Sequence, residues 1–351
     1  MAAISVIVPV YDVAEFLPGC LDSVLTADAD LEVIAVDDAS PDGSGAILDE
    51  RAAADPRLRV VHQERNGGQG AARNLALGMA TGEYVWFVDG DDMIASGALP
   101  AIGAALASAG KPDVLLINWV STYPGGRTEP NPGAAVLALV PAGGCTLEDE
   151  PRLVNLTMTS WSKLFRRDFL TGLDVSFAGG IHEDILVTCA ALLSAQVIGA
   201  VQAVCYRYRR QRRGSAMATT SLGQLAVFDS YHRVFELLAA RDAAGLPVSD
   251  AVRAAIFERA IWHYSTVLET TGFGVGRVGL PGLVPRAERQ RFFRRMHEDF
   301  RRYRPDGYQH PAGPRGAKLR LVERGAYRSY SWLEPLNQAR VAIRKLARRS
   351  R

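Results

Sequence analysis

Cysteine is scarce in this chain of 351 residues. The four that occur, Cys20, Cys145, Cys189 and Cys205, are far apart and include no CxxC pair. A structural zinc site or a disulfide framework requires closer and more regular spacing. The sequence therefore predicts buried free thiols in a reducing compartment.

Long apolar runs and a basic leader are also missing. No run approaches the ~18 apolar residues of a membrane helix, and the N-terminus enters the apolar segment ISVIVPV directly. We therefore expect no signal peptide, no membrane span and a cytoplasmic location. The 40 lysines and arginines nearly balance the 38 acids. A net charge this small gives no indication of a nucleic-acid partner, and none is expected.

What is present is an alternation of apolar segments of strand length with segments of helical periodicity. Strands are predicted over residues 4–10, 31–36, 58–63, 84–88 and 113–120, and helices over residues 16–25, 71–79 and 98–109. Strands that are apolar throughout are typical of a mostly parallel sheet with helices on both faces. The sequence therefore predicts a doubly wound, Rossmann-like α/β domain that binds ligands beyond the carboxyl ends of its strands.

The composition changes near residue 217. The stretch 121–150, rich in proline and glycine, is predicted to be a long loop or a frayed sheet insertion. Beyond residue 217, helical segments are predicted over residues 221–243, 251–270 and 286–304. A linker rich in glycine and proline occupies residues 272–285. We predict a catalytic α/β domain over residues 1–216 and a mainly helical C-terminal region over residues 217–351.

Three aspartates follow the fourth predicted strand within four positions, in YVWFVDGDD. Asp89, Asp91 and Asp92 repel one another unless a cation lies among them. Hard divalent ions prefer such oxygen ligands. The cluster therefore predicts a metal site at the end of this strand, with Asp92 equally compatible with a structural role.

Other polar clusters follow the remaining strands. They are Tyr11 and Asp12, Asp37 and Asp38, and Asn66, Gly67, Gly68 and Arg73. Taken singly, an Asp pair is more often a helix cap and NGG more often a turn. Their common position at one edge of one sheet favours a single site.

Together these segments resemble family 2 glycosyltransferases with the GT-A fold. The resemblance covers about residues 4–217 and rests on the segments VIVPVYDVAEFLPGCLDSVL, EVIAVDDASPDGS, NGGQGAARNLAL, GEYVWFVDGDD, WSKLFRRDFL, HEDILV and RRQRRGSAM. It implies an inverting transfer from a nucleotide-diphosphate sugar with a divalent cation, Mn²⁺ or Mg²⁺. Asp91 would then be a direct metal ligand and Asp89 would reach the ribose or a metal-bound water. Gly90 would let the chain approach the nucleotide.

The resemblance also assigns the nucleotide contacts. Asp38 would accept a hydrogen bond from a uracil imide, with Pro9 and Tyr11 packed on the base, which favours a UDP-sugar. Asn66 and Gly67 would line the same site. Arg73 opens a helix whose N-terminus favours the diphosphate. The alternative is that Arg73 only forms a salt bridge with an acid of the metal cluster.

The general base is assigned to the acidic pair before a helix, Glu183 and Asp184. The resemblance implies that Asp184, the second acid, deprotonates the acceptor hydroxyl. The alternative is that both acids cap the helix. The basic segment that follows is predicted to be a lid contacting the diphosphate, through Arg210, Arg212 and Ser215.

The acceptor side is predicted from Trp161 and Lys163, which resemble the family's acceptor segment. An aromatic face packs on a sugar ring, although Trp161 is equally compatible with the core. The tail RVAIRKLARRSR, residues 340–351, is basic and amphipathic. It predicts peripheral contact with the inner face of the plasma membrane or with a polyanionic acceptor.

We therefore predict a glycosyltransferase that adds a sugar from a UDP-sugar to a polysaccharide, a teichoic-acid-like polymer or a lipid-linked acceptor. The composition resembles that of bacterial enzymes of teichoic-acid and capsule synthesis. Two alternatives are an inactive carbohydrate-binding scaffold and a GT-A nucleotidyltransferase. The latter usually has an N-terminal glycine-rich phosphate loop, and VPVYDVAEF is not one. The helical region is compatible with an oligomer.

Overall fold

A computed structural model of the protein describes residues 4–26, 30–210, 220–269 and 283–332. These residues fall into two compact units, one within 1–213 and 230–248 and the other within 214–229 and 249–351. The functional division predicted at residue 216 stays a prediction.

The first unit is built around a nine-stranded sheet. Its strands are β1 (Ile4–Val10), β2 (Leu31–Asp37), β3 (Leu58–His62), β4 (Tyr84–Phe87), β5 (Met93–Ile94), β6 (Val114–Thr122), β7 (Thr128–Pro130), β8 (Lys163–Arg166) and β9 (Ile198–Arg209). Their order is β3-β2-β1-β4-β8-β6-β9-β5, with β7 paired to β6. The predicted α/β fold is confirmed, and the five strands predicted from sequence all occur.

Parallel pairing joins β1 to β2 and β4, β2 to β3, and β6 to β9. Strand β8 is antiparallel to both of its neighbours, β4 and β6. Strands β1 and β4 are buried along their whole length, as their continuous apolar sequence predicts. The segment 121–150 contains the short strand β7, which pairs with the end of β6.

Helices connect the strands and complete this unit. They are α1 (Leu17–Leu25), α2 (Ser44–Ala54), α3 (Gln69–Leu77), α4 (Ala98–Ser108), α5 (Ala134–Leu137), α6 (Arg167–Thr171) and α7 (Asp184–Ser194). Helix α8 (Ala226–Ala243) begins in the second unit and continues into the first. Apolar residues of α1 and α4 join the strands in one core cluster.

The second unit contains α9 (Asp250–Glu269), α10 (Arg289–Tyr303) and α11 (Gly313–Glu323). Its core is aromatic, and the Phe228 ring lies 4.4 Å from that of Tyr264 and 4.6 Å from that of Phe292. Helix α10 buries its phenylalanines and exposes most of its arginines, which explains its mixed sequence.

Most of the predicted linker at residues 272–285 and the basic tail lie outside the described residues. Within the described residues, no helix combines the length and the apolar character that a bilayer crossing requires.

Candidate active site

The parallel strands β1, β2 and β4 end at the same edge of the sheet, and their following loops carry the predicted polar clusters. The Asp38 amide donates to the Val10 carbonyl at 2.9 Å, which ties the ends of β2 and β1 together. Asp12 and Ala39 have left-handed backbone, with φ of 52° and 57°. Such conformations cost energy for residues with a side chain and cluster at functional sites.

Asp38 organises the NGG loop. Its Oδ1 accepts from the Gly67 amide at 2.7 Å and from Gln63 Nε2 at 2.9 Å, and its Oδ2 accepts from the Gly68 amide at 2.8 Å. Asn66 Nδ2 donates to the Asp38 carbonyl at 3.2 Å. A carboxylate offers about four acceptor positions, so three bonds leave capacity for one further donor.

A surface cavity of about 460 Å³ adjoins this loop. It is lined by Gln63, Glu64, Arg65, Asn66 and Gly67.

Two more residues of the predicted nucleotide site belong to the end of β1. Tyr11 follows the strand with 47% of its surface exposed, so its ring is accessible for stacking. Pro9 is buried in the strand, in register with Val36 of β2. Of the two residues predicted to pack on the base, Tyr11 is the exposed one.

The acidic cluster is present as predicted. Carboxylate oxygens of Asp89, Asp91 and Asp92 lie within 4.8 Å of one another. Burial raises the pKa of Asp89 to about 6, although Arg73 opposes the shift, and burial together with the neighbouring aspartates raises the pKa of Asp92 well above its usual range. A bound cation would relieve this repulsion.

Asp92 has a structural role. Tyr206 on β9 donates its hydroxyl hydrogen to Asp92 Oδ2 at 2.7 Å, and the Arg209 amide donates to Oδ1 at 2.6 Å. The same hydroxyl accepts from the Asp89 amide at 3.2 Å. This network joins β9 to the acidic loop and leaves Asp89 and Asp91 as the better candidates for metal ligands.

Gly90 is closely packed against the end of β1. A side chain there would place its Cβ 3.2 Å from the Pro9 carbonyl oxygen and 3.3 Å from Val13 Cγ2. The approach of Gly90 to a nucleotide stays a prediction, and the structure adds that this glycine lets the acidic loop contact the end of β1.

Arg73 on α3 joins the two ends of the candidate site. Its Nη1 donates to Glu183 Oε1 and Asp184 Oδ1, each at 2.8 Å, and its Nη2 donates to Asp89 Oδ1 at 2.8 Å. Only 1% of the side chain is exposed. Burial lowers the pKa of the guanidinium, but the three carboxylates outweigh burial and raise it above its usual value. The salt bridge foreseen as the alternative for Arg73 is thus present, and it extends to two further acids.

Glu183 and Asp184 begin helix α7. Within the described residues, Glu183 makes no capping hydrogen bond with its side chain. The preceding residue, His182, has left-handed backbone with φ of 69°. Both carboxylates bind Arg73 instead. Because Arg73 also binds Asp89, the acidic pair lies on the side of the acidic cluster. Burial and the neighbouring Asp184 raise the pKa of Glu183 to about 7, against the effect of Arg73.

Replacing Glu183 by glutamine is expected to stabilise the protein at pH 8 relative to pH 5. Because the folded-state pKa lies above the unfolded value, folding favours the protonated acid, and the Glu183 contribution to stability falls as pH rises toward about 7. Glutamine does not titrate, so the change in the free energy of unfolding caused by Glu183→Gln should be more favourable at pH 8 than at pH 5 by about 2 kcal/mol. Urea unfolding in EDTA at both pH values measures it.

The control for this experiment is Glu50→Gln, an exposed acid on α2. This variant should change the free energy of unfolding equally at the two pH values. A Glu183→Gln protein that loses stability at pH 8 would contradict the pKa argument.

Trp161 lies in an aromatic cluster. It stacks on Tyr206 with ring centroids 4.6 Å apart and on Tyr208 at 5.2 Å, and it meets Trp119 edge-on at 5.2 Å. Only 4% of its surface is exposed. This placement differs from the predicted sugar platform and corresponds to the alternative, a core residue.

Lys163 is 1% exposed and directed into its own loop. Its Nζ donates to the Thr157 and Thr159 carbonyls at 2.7 and 3.1 Å and to Ser162 Oγ at 3.1 Å. Three bonds are all that an ammonium group donates. Lys163 therefore shapes the segment 157–162, and a direct acceptor contact does not fit this geometry.

The predicted lid is described only up to Arg210, since Arg212 and Ser215 lie outside the described residues. The Arg210 guanidinium lies 5.0 Å from the centre of the Tyr208 ring. Its neighbour Arg209, which we did not predict, donates from Nε to the Asp91 carbonyl at 2.7 Å. Arg209 is the last residue of β9, and composition alone does not distinguish it from the arginines that follow the strand.

The sequence is similar to that of one known protein family. Residues 5–170 match the model of the family described as Glycosyl transferase family 2. These residues form a family 2 glycosyltransferase domain. The matched range includes the acidic cluster, Asp38 and Arg73, and it ends before the Glu183–Asp184 pair.

Two curated relatives illustrate the extent of the similarity. A glycosyltransferase of Bacillus subtilis, EpsJ, is 47% identical over 94 residues, 26% of this chain and 27% of that protein. The poly(ribitol-phosphate) beta-N-acetylglucosaminyltransferase TarS of Staphylococcus aureus is 29% identical over 281 residues, 78% of this chain and 46% of TarS. This chain thus spans less than half the length of either relative.

The likeness to a solved structure extends through most of the chain. A crystal structure of residues 1–349 of S. aureus TarS in complex with UDP-GlcNAc superposes with a TM-score of 0.72 at 23% identity. The alignment covers 96% of this chain and 91% of that one. At this identity the likeness establishes the fold, GT-A with a helical C-terminal region.

Proposed function

We propose that the chain is an inverting glycosyltransferase that moves a sugar from a UDP-sugar to a hydroxyl group of a cell-surface polymer or a lipid-linked acceptor. One observation carries the proposal. The guanidinium of Arg73 forms salt bridges with Asp89 of the acidic cluster and with both Glu183 and Asp184, so the cluster and the acidic pair lie close together. A transferase needs such proximity, because the donor diphosphate and the acceptor base act on the same sugar.

The donor site is assigned to the edge of β1, β2 and β4. The remaining acceptor position of Asp38 suits the imide N–H of uracil, with Tyr11 as the accessible ring. The S. aureus TarS structure contains UDP-GlcNAc, which supports a uridine donor.

A divalent cation fits Asp89 and Asp91. Asp92 accepts hydrogen bonds from Tyr206 and Arg209 through both of its oxygens, whereas Gln69 and Arg73 both donate to a single oxygen of Asp89, Oδ1. When bound, the cation acts as a Lewis acid that offsets the charge of the departing diphosphate.

Asp184 is proposed as the general base. It accepts the proton of the acceptor hydroxyl while that oxygen bonds to the anomeric carbon, and the bond from the same carbon to the UDP oxygen breaks. Displacement from the opposite side inverts the configuration. Glu183, one position earlier, accepts from the same nitrogen of Arg73, Nη1, as Asp184 does. Its proposed role is to hold Arg73 in the orientation that binds Asp184.

The acceptor is proposed to be a cell-surface polymer of the teichoic-acid type, because the name of TarS specifies poly(ribitol-phosphate). Membrane contact through residues 340–351, oligomer formation and the cytoplasmic location stay predictions, and that tail lies outside the described residues.

UDP with Mn²⁺ is expected to raise the melting temperature. At 100 times its dissociation constant, a ligand adds about 2.7 kcal/mol, which corresponds to about 2–4 °C. Asp91→Asn should remove the part of the shift that depends on Mn²⁺. Thermal denaturation with UDP, with and without Mn²⁺, measures both.

CDP is the control ligand, because cytosine lacks the imide proton that Asp38 is proposed to bind. CDP should give a smaller shift than UDP at the same concentration. Equal shifts for CDP and UDP would contradict the role of Asp38, and no shift with any nucleotide would contradict the donor site.

A further inference from the structure

Arg73 is the cationic partner of three acids that belong to different parts of the proposed reaction. Within the described parts of the chain, every salt bridge of Asp89, Glu183 and Asp184 goes to this one residue. All three are largely buried, and buried charges require a cationic partner. Arg73 therefore offsets the negative charge of all three acids at once and fixes where the Asp184 carboxylate lies.

The geometry of the guanidinium also fixes the direction of these acids. A planar fork donates along set directions, unlike a lysine ammonium, which acts as a point charge. Nη1 holds the Glu183 and Asp184 carboxylates side by side, and Nη2 is directed at Asp89.

Arg73 itself is held by its surroundings. The guanidinium lies 5.5 Å from the centre of the Phe177 ring. One turn earlier on α3, Gln69 donates to the same Asp89 oxygen that Arg73 binds, at 2.7 Å. The two residues are four positions apart and so lie on one face of the helix.

We infer that Arg73 is a positioning residue, which acts on the reaction through Asp184 and links that base to the metal-binding acid Asp89. This inference rests on the proposed function. It replaces the diphosphate contact predicted for Arg73 from the sequence, since both terminal nitrogens are directed at protein carboxylates.

The test compares Arg73→Lys and Arg73→Gln with the wild-type protein. We expect kcat for sugar transfer to fall about 100-fold, the size of effect produced by misplacing a catalytic group by about 1 Å. The dissociation constant of UDP with Mn²⁺ and the KM of the donor should stay within about threefold. Steady-state kinetics and calorimetry with UDP measure the two quantities separately.

Arg166→Gln is the matched control. Arg166 forms a salt bridge with the buried Asp113 in the same unit. Within the part of the chain that the structure describes, its side chain forms no hydrogen bond with a proposed site residue. Its loss should lower stability without lowering the kcat of the folded protein. A purely structural role of Arg73 would give the same pattern as Arg166→Gln.

A double-mutant cycle keeps the inference testable if Arg73→Gln does not fold. Arg73→Lys and Glu183→Gln act through the same base, so their combined loss in kcat should fall short of the product of the single losses by about tenfold or more. Independent, multiplying losses would overturn the inference.

Three further outcomes decide the matter. UDP binding that weakens about tenfold or more in Arg73→Lys, with kcat retained, would assign Arg73 to the diphosphate and overturn the inference. A wild-type protein that neither transfers sugar nor hydrolyses UDP-sugars overturns the proposed function and this inference with it. An active wild type with an equally active Arg73→Lys overturns only the inference.

Discussion

Asp184→Asn is expected to lower the turnover number for sugar transfer by about 10²–10⁴-fold, the usual contribution of a general base. Asparagine keeps the shape of aspartate and still accepts a hydrogen bond from Arg73, but it takes up no proton. UDP affinity should change little, because Asp184 lies on the acceptor side of the proposed site. Initial rates with UDP-GlcNAc, UDP-glucose and UDP-galactose in the presence of Mn²⁺, together with UDP calorimetry, measure both effects.

Asp168→Asn provides the control. Asp168 is also an acid in the first turn of a helix, α6, but its side chain is exposed and forms a salt bridge with the neighbouring Arg167. Its replacement should leave the turnover number unchanged. If Asp184→Asn retained wild-type activity, the assignment of the base would be wrong. If the wild-type protein bound UDP-sugars but turned none over, the inactive scaffold would be the better description.

Trp161→Ala is expected to lower the free energy of unfolding by about 3–5 kcal/mol, the usual loss for a buried aromatic side chain. The indole contacts Tyr206, Tyr208 and Trp119, and its removal leaves a cavity that these rings do not fill without moving. Tyr206 also holds Asp92, so the cavity is expected to disturb the acidic loop. Urea denaturation followed by circular dichroism measures the loss.

Trp262→Ala is the comparison for that experiment, since this tryptophan on α9 is 42% exposed. Its replacement should cost less than about 1 kcal/mol. A Trp161→Ala protein with unchanged stability and a raised KM for the acceptor would restore the sugar platform predicted from the sequence.

The sequence was sufficient for the parallel part of the fold. Strands such as Ile4–Val10 and Tyr84–Phe87 are apolar at every position because both faces are covered, and that pattern is local. Strand β8, Lys163–Arg166, was not predicted as a strand. It has only four residues, and its position between β4 and β6 depends on pairing partners about 50 to 80 residues away in sequence.

The candidate site was predicted in part for the same reason. Acids after strands are visible in sequence, so Asp38, Asp89 and Asp91 could be placed at one edge of the sheet. Burial and pairing are not visible. Trp161 and Lys163 have the residue types of a sugar-binding surface, yet their side chains point into the protein.

The antiparallel insertion of β8 bears on how this protein folds. Strand β8 lies between β4 and β6 and joins them into one sheet. The sheet is therefore complete only after segments distant in sequence have paired. Contacts of such long range form slowly, because the entropy of loop closure is lost before the pairing rewards it. Glu183 and Asp184 follow β8 along the chain, whereas Asp89 precedes it, so we expect their contacts with Arg73 to form late in folding.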